Sequence, residues 1–288
     1  MPELPEVEVV KQSLEKYILN KNLLKIIVNN KKLRFPLPRN LSKKLSTLKI
    51  IGINRISKYV VIEFVNELFL IIHLGMSGTL HLLKKSNGSQ NTNLSFYHSK
   101  KLPKKHNHVF FVFKNFSIIY NDPRRFGFIK LIKNKINLNN YFKKLGPDPF
   151  GANFNFNYVK KYLHKKTKNI KNTLLDQNFL SGIGNIYSSE ILNYSKISPL
   201  KLSGEINNME INKIIFYTKK VLKHAIRRGG TTINNFHSIK GKQGSYQKEF
   251  RAYNREKASC KNKLCRGTII KINISNRSTY MCNICQNN

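Results

Sequence analysis

Apolar and polar residues follow two different periods along this chain, and the change of period divides it into two parts. Val7, Val10, Leu14 and Ile18 recur every three to four positions, so residues 3–19 are predicted to form an amphipathic helix. Short runs rich in β-branched and aromatic residues follow, and their spacing is typical of a β-sandwich or barrel. These predicted strands are 23–28, 50–56, 59–65, 68–74, 109–113, 117–120 and 128–132.

The second part of the chain has a helical period. Residues 158–165, 169–180 and 185–195 are predicted helices, and 208–228 has the clearest apolar face, which ends at Gly229-Gly230. That face consists of Ile211, Ile214, Ile215, Thr218, Val221, Leu222, Ala225 and Ile226. Gly146-Pro147-Asp148-Pro149 separates the two patterns, because two close prolines interrupt regular structure. We therefore predict a multidomain α+β protein, with domains over 1–135, 146–235 and 236–288.

Two further segments show neither period. Residues 84–105 are rich in Lys, Ser and Asn and are predicted to form a long loop, and residues 231–258 are polar and irregular. No apolar run is long enough to span a membrane, and three glutamates in the first eight residues do not fit an export signal. The sequence therefore predicts a cytoplasmic protein.

The charge of the chain predicts a polyanionic partner. Lys and Arg total 52 against 14 Asp and Glu, a net charge of +38. Such an excess favours nucleic acid or an anionic membrane surface. Part of the excess has another explanation, since codon bias in an AT-rich genome raises the lysine content. We expect strong, salt-sensitive binding to DNA or RNA.

All four cysteines lie near the C-terminal end, with the spacing Cys260-x4-Cys265-x16-Cys282-x2-Cys285. Two such pairs can supply four thiolates to one structural Zn²⁺, and the absence of a nearby fifth ligand indicates a closed site. The alternative is two fortuitous or redox-active pairs. Between the pairs, residues 268–274 and 278–281 are predicted to form a β-hairpin with Asn276-Arg277 at its turn, where an arginine suits phosphate.

The N-terminal residues Met1-Pro2-Glu3 form a candidate catalytic group. Removal of Met1 would leave Pro2 as a secondary amine with a pKa of about 8, so that part of it is unprotonated at neutral pH and can attack a sugar C1′. Glu3 could move the protons. A proline at this position is also common in proteins where it has no such role.

Three glycine-containing turns complete the candidates. Gly182-Ile183-Gly184-Asn185 could offer backbone N–H groups to an anion at a helix start, although it also fits an ordinary turn between helices. The segments 73–78 and 122–127 present Met76, Arg124 and Phe126, a combination suited to entering a base stack. Taken singly, residues of these types more often lie in the core or on the surface without a functional role.

Taken together and in this order, the motifs resemble the formamidopyrimidine-DNA glycosylase family of bacterial DNA repair enzymes. The resemblance extends over essentially the whole chain. It is carried by Pro2-Glu3-Leu4-Pro5-Glu6-Val7-Glu8, Ser57-Lys58-Tyr59, the turns 73–78 and 122–127, 145–149, 182–187 with Glu190, 229–232 and the four cysteines.

This resemblance implies a bifunctional DNA glycosylase and AP lyase that removes 8-oxoguanine and formamidopyrimidines and then cuts the strand by β,δ-elimination. Pro2 would form the Schiff base, Glu3 would act as acid and base, Lys58 would assist β-elimination, and Arg277 would hold phosphate and assist δ-elimination. His106, Lys166, Lys171 and Asn185 would contact the DNA backbone. Met76, Arg124 and Phe126 would fill the space left by a flipped base.

The resemblance also implies the architecture and the partners. The expected domains are a catalytic β-sandwich, a helix–two-turn–helix domain, and a C-terminal region with a lesion-side segment and a zinc finger holding one structural Zn²⁺. The expected partner is double-stranded damaged DNA, bound by a monomer at the bacterial nucleoid, with no membrane involved.

The chain departs from the family pattern at several points, and two rival functions are kept beside the one that the resemblance implies. Its first cysteine pair has four intervening residues where the family usually has two, Asn254 stands where a glycine is common, and the basic stretch before Ile170 is short. One rival is an endonuclease VIII-like glycosylase that acts on oxidised pyrimidines. The other is a catalytically inactive, zinc-containing protein that binds damaged DNA.

Overall fold

The computed structural model describes residues 1–84, 104–231 and 244–287. The chain divides into two compact units. The first unit comprises Met1–Lys143 with Arg228–Ser245, and the second comprises Lys144–Arg227 with Tyr246–Asn288. Most of the predicted loop at 84–105, namely residues 85–103, and residues 232–243 therefore lie outside the described residues.

The first unit is a β-sandwich with a helix at its start. Its elements are α1 (Leu4–Ile18), β1 (Lys25–Val28), α2 (Leu41–Leu45), β2 (Ile50–Ile56), β3 (Tyr59–Phe64), β4 (Leu68–His73), β5 (Thr79–Lys84), β6 (Asn107–Val112), β7 (Phe116–Asn121), β8 (Phe128–Lys133) and α3 (Lys135–Phe142). Within the described residues they form two four-stranded antiparallel sheets, in the orders β1-β6-β7-β5 and β2-β3-β4-β8. The fold class predicted from the sequence is confirmed.

The core of the first unit is formed by the inner faces of both sheets and by α1. The predicted stripe on α1 is buried there, with Val7, Val10, Leu14 and Ile18 each less than a tenth exposed. Burying this stripe stabilises a helix that an isolated segment of this length would hold only marginally. The predicted strands are confirmed to within a few residues. Strand β5 was missed, because it follows the glycine turn 73–78 directly and carries a histidine between its leucines.

The second unit is helical, with a C-terminal hairpin. Its elements are α4 (Phe156–Leu163), α5 (Ile170–Leu175), α6 (Asn185–Ser195), α7 (Asn208–Arg227), β9 (Ile269–Ile274) and β10 (Arg277–Cys282). The predicted helices are confirmed, but α5 ends at Leu175 rather than near 180. It ends there because the chain turns after Asp176, whose carbonyl accepts the N–H groups of Phe179 and Leu180.

The hairpin prediction is correct except for its turn. The turn residues are Ser275 and Asn276, both with positive φ, and Arg277 is the first residue of β10, paired with Ile274. Two-residue hairpin turns of this kind need positive φ at both positions, which Asn tolerates better than Arg. In the described part of the chain no helix combines the length and the apolarity needed to cross a membrane.

Candidate functional site

Two buried glutamates hold the start of the first unit. Glu3 and Glu6 are 3% and 2% exposed, and Pro2 beside them is also buried. One carboxylate oxygen of Glu6 accepts the backbone N–H of Glu3 at 3.0 Å. The other accepts the N–H and the hydroxyl of Thr231 at 2.9 and 3.0 Å. Glu6 therefore fixes the backbone next to Pro2, a role that the sequence did not reveal.

Lys58 lies in the turn between β2 and β3 and is only 6% exposed. The turn is tight, with Ser57 in the left-handed region at φ 55°. The Arg55 guanidinium donates to the Ser57 carbonyl at 3.2 Å and to Glu8 Oε2 at 2.7 Å. Arg55 thus joins α1 to the turn that carries Lys58, so that the predicted catalytic residues of the first unit sit on connected elements.

His73, at the end of β4, is held neutral at physiological pH. Burial, followed by the charges of Lys58 and Arg34, lowers the pKa of His73 to about 4. Its Nδ1 accepts the N–H of Gly75 at 3.1 Å, which requires an unprotonated Nδ1. The ring also stacks on Phe128, with centroids 5.3 Å apart. The sequence marked His73 only as the beginning of a turn.

The structure brings together the three predicted wedge residues at one edge of the sandwich. Met76 and Phe126 are 50% and 42% exposed, and Arg124 is also exposed. The Arg124 guanidinium lies over the Phe126 ring at 4.5 Å. His106 is tied to the same region, because its carbonyl accepts the N–H of Asp122 at 3.1 Å. Burial, and then Lys105, lower the pKa of His106 from its ordinary value, which favours the neutral imidazole.

In the second unit the glycine turn leads into α6, as predicted, with Asn185 as the first residue of the helix. Gly182 has φ 90°, which a residue with a side chain rarely adopts. The Gln177 side chain accepts the Gly182 N–H at 2.9 Å and donates to the Ile183 carbonyl at 2.8 Å, and it thereby holds the turn. Asn185 donates to the Ser278 carbonyl in the hairpin at 2.9 Å. Gln177 had no signal in the sequence, because its partners are backbone atoms.

The two predicted phosphate-binding lysines occupy different environments. Lys166 is exposed, with its amine 5.3 Å from the Tyr162 ring centroid. Lys171 is fully buried, and its amine lies 2.5 Å from Thr279 Oγ1 and 3.4 Å from the Ser278 carbonyl. A buried amine in contact with the hairpin favours a supporting role for Lys171, so its contact with phosphate stays a prediction.

The four cysteines form one cluster in the second unit. Their sulfur atoms all lie within 4.8 Å of one another, with Cys260–Cys285 at 3.8 Å and Cys265–Cys282 at 3.5 Å. Zn–S bonds of about 2.3 Å in a tetrahedron place sulfurs about 3.8 Å apart, so the cluster has the dimensions of a four-thiolate metal site. The longer first knuckle does not prevent this arrangement.

One residue inside that knuckle contacts the sulfur cluster directly. The Asn262 side-chain amide donates to Cys285 Sγ at 3.0 Å and to the Asn193 carbonyl of α6 at 3.3 Å. Its oxygen accepts from Arg251 at 2.7 Å. Asn262 therefore anchors the unusual loop to the helix, and the sequence showed only that the loop was longer than usual.

Glu190 on α6 holds the segment that precedes the cysteines. It is completely buried, and its oxygens accept the backbone N–H groups of Arg251, Ala252 and Tyr253 at 2.8–2.9 Å. Burial raises the pKa of Glu190, and these three hydrogen bonds oppose that rise. The resemblance had included Glu190 without indicating what it binds.

Comparisons with known proteins agree with this arrangement. The family model of the formamidopyrimidine-DNA glycosylase N-terminal domain matches residues 1–129, and that of the H2TH domain matches 145–237. The chain is 38% identical over 288 residues to the formamidopyrimidine-DNA glycosylase of Wolbachia sp. subsp. Brugia malayi (strain TRS), covering all of both chains. It is 37% identical to that of Rickettsia africae (strain ESF-5), covering 99% of each.

Solved structures give the same result. A complex of Lactococcus lactis Fpg with DNA containing an abasic site is similar with a TM-score of 0.87 and 31% identity, covering 99% of this chain and 100% of that one. A complex of wild-type Lactococcus lactis Fpg (MutM) with DNA containing an oxidized pyrimidine has a TM-score of 0.86 at the same identity, with complete coverage of both chains.

The β-sandwich, the H2TH helices and the four-cysteine cluster, which could hold a metal ion, define a DNA repair glycosylase. The matches over the whole length show that the chain belongs to the formamidopyrimidine-DNA glycosylase family. The predicted enzyme class, a DNA glycosylase with AP lyase activity that removes oxidised purines in base-excision repair, is thereby confirmed.

Proposed function

We propose that Pro2, freed by removal of Met1, is the nucleophile and that Glu3 moves the protons. The observation that carries this proposal is the burial of Pro2 and Glu3 just before α1, where Glu6 accepts the Glu3 backbone N–H. A buried, hydrogen-bonded backbone reduces the motion of the attacking amine, and positioning of this kind contributes strongly to catalysis.

The proposed reaction has three steps. The Pro2 nitrogen bonds to C1′ of the damaged nucleotide, the bond from C1′ to the base breaks, and the base leaves with a proton. Proton transfer through Glu3 opens the sugar ring and gives an iminium, which draws electrons as C2′ loses a proton and the 3′ phosphate leaves. A second elimination, in which C4′ loses a proton, releases the 5′ phosphate, and water then hydrolyses the iminium and frees Pro2. Lys58 transfers protons in the first elimination, and Arg277 stabilises the phosphate in the second.

Borohydride trapping tests the nucleophile. Reduction of the iminium should link the protein to a duplex containing an abasic site, and mass spectrometry should place the link at Pro2. Glu3→Gln should abolish base excision while DNA binding stays within about threefold, because the side chain keeps its shape and loses its proton transfer. Glu15→Gln, at a half-buried position near the C-terminal end of α1 where Glu15 pairs with Lys11, is the matched control. An adduct found only on a lysine such as Lys58 would refute the assignment.

Double-stranded damaged DNA is the proposed partner, bound by a monomer at the nucleoid. The complexes of Lactococcus lactis Fpg with lesion-containing DNA support this proposal, as does the net charge of +38. Phosphate contacts are assigned to His106, Lys166, Lys171, Asn185 and Arg277, of which Lys166 and Arg277 are exposed in their own unit. The affinity should fall steeply with added salt, since each neutralised phosphate releases counterions.

One structural Zn²⁺ is the proposed occupant of the cluster of Cys260, Cys265, Cys282 and Cys285, supported by the sulfur–sulfur distances. With four thiolates the coordination is complete, so the metal would stabilise the fold and take no part in the reaction. The chain's own part is to connect the cluster to β10, which begins at Arg277 and ends at Cys282. A fixed strand would hold Arg277 at a defined distance from the metal.

Oxidised purines opposite cytosine are the proposed preferred substrate. Arg124 carries only donors and could bond the O2 and N3 acceptors of cytosine, whereas adenine presents a donor at N6. The Fpg complex with an oxidized pyrimidine makes the rival preference worth testing directly. Matched duplexes with 8-oxoguanine or thymine glycol decide between them, and faster excision of thymine glycol would favour the endonuclease VIII-like alternative. A protein that binds both duplexes and cuts neither would be the inactive alternative.

The proposed domain boundaries are those predicted from the sequence, at 1–135, 146–235 and 236–288. The family matches at 1–129 and 145–237 support the first two of them. Limited proteolysis followed by mass spectrometry is the direct measurement, and cleavage should concentrate just after α3, between 143 and 146, and near 236.

A further inference from the structure

We propose that Asp122 and Ser77 are positioning residues that set the placement of the wedge formed by Met76, Arg124 and Phe126. This inference rests on the proposed function, since it requires those three side chains to enter the DNA. Asp122 is completely buried, so it acts through other residues and not by contact with a base or a phosphate.

The sheet topology explains why the two wedge turns meet. The turn with Met76 connects β4 to β5, and the turn with Arg124 and Phe126 connects β7 to β8. Strand β4 pairs with β8, and β5 pairs with β7, so His73 lies opposite Phe128 and Thr79 opposite Asn121. Both turns therefore cross between the two sheets at the same edge, side by side.

The Asp122 carboxylate joins the two turns. Its Oδ1 accepts the hydroxyl of Ser77, from the Met76 turn, at 2.5 Å. Its Oδ2 accepts the N–H of Gly127, which follows Phe126, at 2.8 Å, and the Tyr120 hydroxyl at 3.3 Å. Burial and the nearby Asp122 raise the pKa of Tyr120 well above its ordinary value, so the phenol stays a donor.

Ser77 connects this carboxylate to the arginine. Its hydroxyl donates its proton to Asp122 and accepts the backbone N–H of Arg124 at 3.2 Å, which is the arrangement that one proton and two lone pairs allow. The residue after Met76 thus holds the backbone of Arg124 directly. Removing this hydroxyl would leave the Arg124 N–H without that acceptor.

Glycines let the two turns lie in backbone contact. A Cβ on Gly75 would lie 2.4 Å from the Gly127 nitrogen, and one on Gly127 would lie 1.8 Å from the Tyr120 hydroxyl. Because no side chain fits between the turns, loss of the Asp122–Ser77 hydrogen bond should shift the backbone of both turns and thereby displace the wedge side chains. The same carboxylate residue also fixes His106, through its backbone N–H.

The test separates wedge insertion from the chemistry at C1′. Ser77→Ala should slow single-turnover excision of 8-oxoguanine opposite cytosine by about tenfold, the effect expected from one lost charge-assisted hydrogen bond. Cleavage of an abasic site in a single-stranded oligonucleotide, which needs no wedge, should change by less than about twofold. A 2-aminopurine base beside the lesion should show a correspondingly slower fluorescence rise, because this rise reports unstacking.

Two variants control for folding. Ser77→Thr keeps the hydroxyl and should restore most of the excision rate, whereas Ser117→Ala, a serine on β7 away from the turns, should behave as wild type.

Asp122→Asn keeps the size but replaces one acceptor oxygen with a donor, so it should impair excision at least as strongly as Ser77→Ala.

Wild-type excision and fluorescence in Ser77→Ala would overturn the positioning role and leave the proposed function intact. Equal loss on both substrates in Ser77→Ala, or a Ser77→Thr variant as slow as Ser77→Ala, would overturn it as well. A wild-type protein inactive on both substrates would overturn the proposed function, and this role with it.

Discussion

Acid should weaken the first unit through two histidines that the fold keeps neutral. Burial lowers the pKa of His81 to about 3, and burial together with Lys58 and Arg34 lowers that of His73 to about 4. In the unfolded chain both should titrate near their ordinary value of about 6.5. Between these values the unfolded state binds more protons, so the free energy of unfolding falls as the pH falls.

The size of the effect follows from the two pKa values of each histidine. At about pH 5 the histidine is protonated in the unfolded chain and neutral in the folded one. This pH lies about 1.5 units below the unfolded pKa, and each unit stabilises the unfolded chain by about 1.4 kcal/mol. Each histidine should therefore remove about 2 kcal/mol of stability between about pH 7.5 and pH 5. The loss continues down to the folded pKa and stops below it.

Two near-isosteric variants measure this effect. In His73→Asn the amide oxygen can still accept the Gly75 N–H, and in His81→Gln the amide can still reach Thr79 Oγ1, which lies 2.7 Å from the histidine nitrogen. Urea unfolding followed by far-UV circular dichroism gives the free energy at each pH, and the difference from wild type cancels the contributions of carboxylates and cysteines. Tryptophan fluorescence cannot serve, since the chain has no Trp.

Each variant should gain stability relative to wild type, by about 2 kcal/mol, as the pH falls to about 5. Parallel pH curves for wild type and both variants would refute the reasoning, because they would mean that the folded histidines take up protons as readily as the unfolded ones.

Four other predictions concern the metal cluster, the hairpin and the opposite base. Cys282→Ser should lose bound zinc and DNA affinity together, as measured by elemental analysis and a binding titration; full zinc content would contradict this. The Asn262→Ala variant should release its metal to a chelator faster than wild type, and the Lys263→Ala variant should not. Equal release rates for Asn262→Ala and wild type would mean that Asn262 does not support the metal site. Lys171→Met should reduce hairpin stability by about 1–3 kcal/mol, since two acceptors lose their donor; unchanged hydrogen exchange in β9 and β10 would count against it. Arg124→Ala should abolish the preference for 8-oxoguanine opposite cytosine over adenine, and an unchanged ratio of single-turnover rates would show that Arg124 does not read that base.

Local patterns predicted much of this fold because their causes are local. The stripe of Val7, Val10, Leu14 and Ile18 has the period of a helix, and α1 buries that face. The start of α6 at Asn185 follows from two glycines that stop one element and open the next. The cysteine spacing predicted a four-sulfur cluster, which is present. The motifs as a set also indicated the family, because their order along the chain is specific.

Tertiary structure decided which polar residues form hydrogen bonds with one another. Glu6 and Thr231 are 225 positions apart, and Ser77 and Asp122 are 45 apart, so no local pattern connects them. The family resemblance assigned Lys171 to the DNA backbone, and only the fold shows that its amine is buried against the hairpin. Periodicity reports which face of an element is apolar, and it carries no information on which distant polar group satisfies a buried carboxylate or amine. That choice is made only when the chain has folded, because a buried polar group is stable only with a partner.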